Sequence, residues 1–266
     1  MKHLFQSWQA FTAACRSTSH ILLLADYDGT LTPIVGRPRD AVLSTRVREI
    51  LATLAGKPMY SVGVISGRSI SELKSLVAIE GIYYAGNHGL EIEGPGLRYI
   101  SPLAESARMT IKDLAEQMAT ALADVDGVIV QDKGMSLSIH YRLVKKEKES
   151  TVADVVRRLT TPLCEGGKIK LFTGKKVWEV RPPVDWDKGK AVEAIEREIK
   201  AMLKVERLLT IYLGDDNTDE DAFRVVHPPG GWSVFVGEEN QTSAADYFLN
   251  STIEVETFLT RLRELE

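Results

Sequence analysis

The sequence predicts an α/β protein: a doubly wound, Rossmann-like parallel sheet interrupted by an inserted α+β domain. Three observations carry this reading. The run Ile21-Leu22-Leu23-Leu24-Ala25 has no polar break, as expected of a strand buried on both faces of a parallel sheet. Strand and helix patterns alternate from residue 21 to about 100, the rhythm of βαβ units. Between about 103 and 183 the order becomes helix–strand–strand, twice over, before the βα rhythm resumes. The larger domain is therefore expected over 1–103 and 184–266, and the inserted one over 104–183.

The elements follow in order. Leu4 to Cys15 reads as a short amphipathic helix with Leu4, Phe5, Trp8 and Phe11 on one face. The strand ending at Ala25 leads to a helix over Ser44–Ala55, where Val47, Ile50, Leu51 and Leu54 have helical spacing. A strand over Tyr60–Ile65, a helix over Ile70–Ala78 and a strand over Ile82–Ala85 follow, then a hairpin turning at Gly94-Pro95-Gly96. The insertion reads as a helix over Leu103–Ala123, strands over Val128–Lys133 and Met135–Leu143, a helix over Lys148–Leu163, and strands over Lys168–Phe172 and Lys176–Arg181. After Pro182-Pro183 come a helix from Lys188 and strands over Leu208–Leu213 and Trp232–Val236. The last helix opens on Ser251-Thr252-Ile253-Glu254, the pattern of a capping box.

Composition narrows the function classes. The 266 residues are 44% hydrophobic and 26% charged, ordinary for a globular protein. A net charge of −4 offers no general attraction to nucleic acid or to an anionic membrane surface. Cys15 and Cys164 fit no metal or redox spacing, so two reduced thiols are expected. Gln6, Ser7 and Gln9 interrupt the amino-terminal segment and make it a poor signal-peptide core, and no apolar run spans a bilayer. A cytoplasmic enzyme is expected.

The chemistry sits at strand ends. Asp26-Tyr27-Asp28-Gly29-Thr30 leaves the first buried strand, at the carboxyl edge where open α/β sheets bind ligands. Gly214-Asp215-Asp216-Asn217-Thr218-Asp219-Glu220-Asp221 leaves a second. Adjacent strands would bring Asp26, Asp28, Asp215 and Asp219 together. Two unit charges about 4 Å apart repel by about 4 kcal/mol at a surface-like dielectric, so such a cleft calls for a cation or protonation. Hard oxygen ligands without a nearby histidine favour Mg2+ over zinc. Ser66 and Gly67, at a third strand end, offer a hydroxyl and backbone amides to an anion. Lys188 stands in a first helical turn, where the dipole disfavours a cation, and so is expected to have a compensating anion.

These four elements in this order resemble the haloacid dehalogenase superfamily of aspartyl-phosphate phosphatases. The resemblance implies Asp26 as nucleophile and Asp28 as general acid/base, with Ser66 and Lys188 holding the phosphoryl group. It implies that Asp215 ligates Mg2+ together with Asp26 and the backbone carbonyl of Asp28, and that Asp219 supports the metal directly or from behind. A carboxylic acid at 28 suits a hydrolase, because it can discharge the phosphoenzyme. The insertion lies where this superfamily places its larger type of cap.

Strand alternation puts Ser138, His140 and Arg142 on one face of the insertion, and Lys175, Glu179 and Arg181 share a face with Val177 between them. Such a surface suits a polyhydroxylated ligand. The stretches 26–34, Gly86-Asn87-His88-Gly89, 174–182 and 214–223 narrow the resemblance to the trehalose-6-phosphate phosphatase family. That family implies Mg2+-dependent hydrolysis of trehalose 6-phosphate to trehalose and phosphate. By the same resemblance Asn87, His88 and Gly89 border the substrate, and Lys133, His140, Arg142, Lys175, Glu179 and Arg181 belong to the sugar-binding side. Arg37 and Arg39 are read as solvated loop charges. A small-molecule sugar phosphate is the expected partner and a monomer the expected state, with association with a trehalose-phosphate synthase left open. The rivals are a sucrose-phosphate or glycosyl-phosphoglycerate phosphatase, a non-catalytic regulatory module, and a phosphoaspartate receiver domain.

Overall fold

A strand buried on both faces needs helices on both sides, and the chain supplies them in turn. The computed structural model describes residues 1–239 and 241–265. The chain runs β1 (Lys2–His3), α1 (Trp8–Ser17), β2 (His20–Ala25), α2 (Thr45–Ala55), β3 (Tyr60–Ile65), α3 (Ile70–Val77), β4 (Tyr83–Gly86), β5 (Glu91–Gly94) and β6 (Leu97–Ile100). Then come α4 (Pro102–Ala121), β7 (Ile129–Asp132), β8 (Leu137–His140), α5 (Glu149–Glu165), β9 (Lys170–Gly174) and β10 (Val177–Arg181). It closes with α6 (Lys188–Leu203), β11 (Leu208–Gly214), α7 (Glu220–Val225), β12 (Gly231–Val236), β13 (Tyr247–Leu249) and α8 (Thr252–Arg263). Two units emerge: Met1–Tyr99 with the chain from Trp186 onward, and Ile100–Asp185. Helix α4 begins at Pro102, capped by the Ser101 hydroxyl, so a boundary after residue 103 would cut its first turn.

In the first unit the described strands form a sheet of order β1-β13-β12-β11-β2-β3-β4-β5-β6. Pairing is parallel from β1 through β4, and β5 joins antiparallel. Side chains on β2 alternate between two cores. Ile21, Leu23 and Ala25 pack with Phe11 of α1, Leu51 of α2, Leu73 of α3 and Phe258 of α8. Leu22 and Leu24 pack with Val192 and Ile195 of α6 and Phe223 of α7. The sheet therefore lies between two helical layers. From β2 the chain proceeds to β3 on one side, while β11 returns on the other, so the strand order reverses at β2. That switch point is where an open α/β sheet leaves room for a ligand.

The second unit is a sheet of order β7-β8-β10-β9, antiparallel throughout. Ile111, Leu114 and Met118 of α4 and Val152 and Val156 of α5 bury Leu137, Ile139 and Val180 on one face. Ser138, His140 and Glu179 alternate to the other face, as the sequence pattern requires.

Four local expectations are corrected. Leu4–Ser7 is a 3-10 turn, and α1 starts only at Trp8, although Leu4 and Phe11 are both buried. Ser251 makes no capping hydrogen bond; the Glu254 carboxylate instead accepts from the amide of Asn250 and pairs with His3. Strand β8 stops at His140, so Arg142 lies in the turn beyond it. Lys175 likewise precedes β10, in a β9–β10 turn where Lys176 is left-handed (φ 66°).

Candidate active site

Asp26 is the first residue past β2, and its amide donates to the Leu213 carbonyl of β11 at 2.9 Å. The two strands thus stay zipped up to the acidic loops they carry. Tyr27 turns into the core, its hydroxyl donating to Ala41 O, which leaves Asp26 and Asp28 together on the ligand side. Gly29 has φ +91°, and a Cβ there would stand 2.3 Å from an Asp215 carboxylate oxygen. Only glycine lets the first acidic loop approach the second this closely.

Three buried carboxylates converge, those of Asp26, Asp215 and Asp219, and one oxygen of each lies within 4.8 Å of the others. Lys188 enters from the first turn of α6, which Asp187 caps by accepting from Lys190 N. Its Nζ is 3.0 Å from Asp26 Oδ1 and 2.7 Å from Asp219 Oδ1, and it is 2% exposed. The compensating anion expected for this lysine is thus present twice. Burial pulls the Lys188 ammonium downwards, but Asp219 and Asp26 outweigh it and hold the group charged. Burial pushes the Asp26 carboxyl well above the ordinary range; Lys188 opposes that, while Asp219, Asp215 and Asp28 add to it. One ammonium does not balance three carboxylates.

Asp219 is filled by protein donors. Its Oδ1 accepts from Lys188 Nζ and from Tyr212 OH at 2.6 Å, and its Oδ2 accepts from the amides of Asp215 and Asp216 at 3.1 and 3.0 Å. Four donors occupy the four lone-pair positions of a carboxylate. Asp26 and Asp215, which also accept from Lys188 and from Thr30 Oγ1 at 3.4 Å, bring buried hard carboxylate oxygens together, a donor set that fits a divalent ion, with Asp219 orienting Lys188 and the Asp215 loop. Asp216 caps the short 3-10 turn 217–219 reciprocally with Asp219.

Asp28 is held by Arg68, which sequence reasoning passed over. Arg68 Nε and Nη2 donate to its two carboxylate oxygens at 2.7 Å each, while Arg68 also pairs with Glu72 and donates to Pro38 O. Arg68 is 4% exposed and stands over the Tyr27 ring at 5.3 Å. The signal was present: an arginine two residues after Ser66, at a strand end beside paired aspartates. Arg37 is exposed and Arg39 pairs loosely with Asp40, as expected of loop charges.

Ser66 is buried at the end of β3, and its hydroxyl accepts from Arg68 N. The His88 ring lies against the bare face of Gly67. Asn87, His88 and Gly89 are all left-handed, at φ 50°, 58° and 93°, two of them without glycine's freedom. Their amides tie back: Asn87 N donates to Arg68 O and His88 N to Ser66 O. Glu91 Oε1, also unread in the sequence, accepts from Asn87 Nδ2 and from the first amide of α3, Ile70 N.

The family model described as Trehalose-phosphatase matches residues 24–253. The chain belongs to this family. Among its relatives are the probable trehalose-phosphate phosphatase D and the trehalose-phosphate phosphatase B of Arabidopsis thaliana. Each is 34% identical over 92% of this chain, and the chain spans about two thirds of their length (67% and 66%). Among solved structures, the C-terminal domain of Candida albicans trehalose-6-phosphate phosphatase has the same fold, with a TM-score of 0.78 and 23% identity over 97% of both chains. The trehalose-6-phosphate phosphatase of Aspergillus fumigatus is 27% identical over 96% of both chains, with a TM-score of 0.61.

In the insertion of this trehalose-phosphatase family member, the polar sheet face carries a dense charge network. Glu179 Oε1 accepts from Lys133 Nζ at 3.3 Å and Ser138 Oγ at 3.4 Å, and its Oε2 pairs with Arg181. Lys133, past the end of β7, points to this face with its side chain 6% exposed. His140 Nε2 lies 3.2 Å from Gln131 Oε1, which alternation on β7 could have placed beside it. Arg142 donates to Lys175 O, and both residues are exposed in their turns. No described helix is long and apolar enough to cross a membrane.

Proposed function

We propose that the protein hydrolyses trehalose 6-phosphate to trehalose and phosphate, through a phosphoaspartate at Asp26 and with Mg2+ as cofactor. The observation that carries this reading is the buried Asp26 carboxylate against the Lys188 ammonium at the sheet's switch point. Asp26 attacks phosphorus, and the bond to the sugar oxygen breaks as Asp28 protonates it. Asp28, now a carboxylate, then takes a proton from the water that attacks the phosphoaspartate, which releases phosphate and restores Asp26. Ser66 and the amides near Gly67 bind the transferring oxygens, and Lys188 neutralises them. Arg68 fixes the direction of the Asp28 carboxylate through its two-pronged contact.

Asp26, Asp215 and the Asp28 carbonyl would hold Mg2+, which when bound supplies the positive charge that nucleophile and phosphate both need. Asp219 supports that site from behind, because its four acceptor positions are already filled. On the insertion, Glu179, Lys133, Arg181, His140, Arg142 and Lys175 read the sugar hydroxyls, with Asn87, His88 and Gly89 bordering the phosphate side. The protein acts as a monomer in the cytoplasm, and gel filtration alone and with a trehalose-phosphate synthase checks both state and association.

The test is phosphate release from trehalose 6-phosphate, sucrose 6-phosphate, glucose 6-phosphate, mannosyl-3-phosphoglycerate and an aryl phosphate, with Mg2+, with Zn2+ and with chelator. Strong preference for trehalose 6-phosphate with Mg2+, and none with chelator, supports the reading. Preference for another member keeps the chemistry and discards the substrate. No release from any, by folded protein with Mg2+, leaves a regulatory module as the better account.

A further inference from the structure

The chain leaves the first unit after Tyr99 and re-enters it at Trp186. These two residues are stacked, with ring centroids 4.5 Å apart and planes 21° from parallel. The two crossing points are thus pinned to each other inside the unit. Trp186 has a second contact that stacking does not require: its Nε1 donates to Gly89 O at 2.6 Å. Gly89 is the last of the three left-handed residues, a conformation held only by surrounding contacts. A Cβ on Gly89 would lie 2.6 Å from Ala191 Cβ of α6 and 3.1 Å from the same indole nitrogen, so the residue is gripped between them.

What this grip holds is chemical. Asn87 N and His88 N donate to the carbonyls of Arg68 and Ser66, so the left-handed run is the backbone support of the phosphate loop and of the arginine that aims Asp28. Trp186 is also two residues before Lys188, in the segment that Asp187 turns into α6. One side chain therefore touches the support of the phosphate loop and sits on the entry to the lysine. Phenylalanine would keep an aromatic ring against Tyr99, though a smaller one. Only the indole N–H reaches Gly89.

We propose that Trp186 is a positioning residue for the phosphatase reaction: its N–H fixes the Gly89 carbonyl, and through residues 87–89 it sets the Ser66–Arg68 loop in register with Lys188. The inference rests on the proposed activity. It differs from a purely structural role, which would lower stability and leave the turnover of folded protein unchanged.

The experiment is Trp186→Phe, which keeps an aromatic ring against Tyr99 and removes the donor. Steady-state kinetics with trehalose 6-phosphate and an aryl phosphate are read beside amide hydrogen exchange of residues 87–90. A loosened reacting geometry predicts roughly a tenfold fall in kcat on both substrates, KM within about twofold, and faster exchange at Asn87 and His88. Unchanged kcat in the folded variant overturns the proposal, as does a loss confined to KM. If too little Trp186→Phe protein folds, 3-benzothienylalanine incorporated at position 186 keeps the two-ring shape against Tyr99 and puts sulfur in place of the N–H. The same fall in kcat with faster exchange at Asn87 and His88 then supports the proposal, and wild-type kcat and exchange overturn it. Wild-type protein that releases phosphate from neither substrate refutes the activity, while the exchange rates still judge the role of Trp186.

Discussion

Replacing Lys188 with methionine keeps most of the side chain's volume and removes its charge. The ammonium sits 3.0 Å from Asp26 and 2.7 Å from Asp219, and is almost fully buried. At an effective dielectric of about 20, attraction to Asp26 alone is about 5 kcal/mol. The desolvation of Lys188 offsets part of that, and breaking a buried pair typically destabilises by about 3–5 kcal/mol. For a chain of this size each kcal/mol moves the melting point by about 2–4 °C, so a fall of about 10 °C follows. The assay is thermal unfolding with and without Mg2+, beside phosphate release. Mg2+ should restore part of the lost stability, because it returns positive charge to Asp26 and Asp215, while kcat stays lowered by about a thousandfold. Lys200→Met is the control: its pair with Glu196 is 3.5 Å long and half exposed, and its loss should shift stability by less than about 0.5 kcal/mol. A Lys188→Met protein that melts within about 2 °C of wild type without Mg2+ would refute the electrostatic argument.

Three further outcomes are expected. Arg68→Lys cannot keep both contacts to Asp28, and kcat should fall by roughly 10- to 100-fold with the melting point lowered only slightly; wild-type kcat would show that Asp28 needs no clamp. Glu179→Ala should reduce kcat/KM for trehalose 6-phosphate at least about tenfold more than for a small aryl phosphate, and equal losses would remove its sugar-reading role. Burial lowers the pKa of His20, whose ring lies 2.9 Å from Ser61 Oγ. The unfolded chain therefore binds the proton first: the stability contributed by neutral His20 is complete above its unfolded pKa of about 6.5 and is lost as pH falls from there through the lower folded value. Denaturation at pH 7.5 and 5.5 should give a smaller difference for His20→Gln than for wild type, and an equal difference would contradict the assignment.

The parts legible in the sequence are those fixed by local pattern. The apolar run before Asp26 gave the central strand, and the acidic edges after β2 and β11 gave the carboxylate cluster, because parallel neighbours must end side by side. Alternation gave the polar face of the insertion down to Glu179 and Ser138. Contacts set by tertiary distance were not legible. Arg68 reaches Asp28 across 40 residues, and Trp186 reaches Gly89 across 97. Strands β1 and β13 are too short to show a period; β13 forms by pairing with β12, and β1 by pairing with β13 at the sheet's edge. The family resemblance leaves Asp219 as either a ligand or a support. Only the four donors around it favour the second role.

The central claim, a covalent phosphoryl group on Asp26, is tested most directly with Asp28→Ala and an aryl phosphate, read by rapid-quench kinetics and peptide mass spectrometry. A good leaving group needs no acid, so Asp26 should be phosphorylated at a near-normal rate while discharge stalls without its base. The account predicts a burst of one phenol per enzyme, with the phosphoryl group on the peptide containing Asp26 and none in the Asp26→Asn, Asp28→Ala double variant. Steady phenol release without a burst, or a phosphoryl group on any other residue, would contradict it.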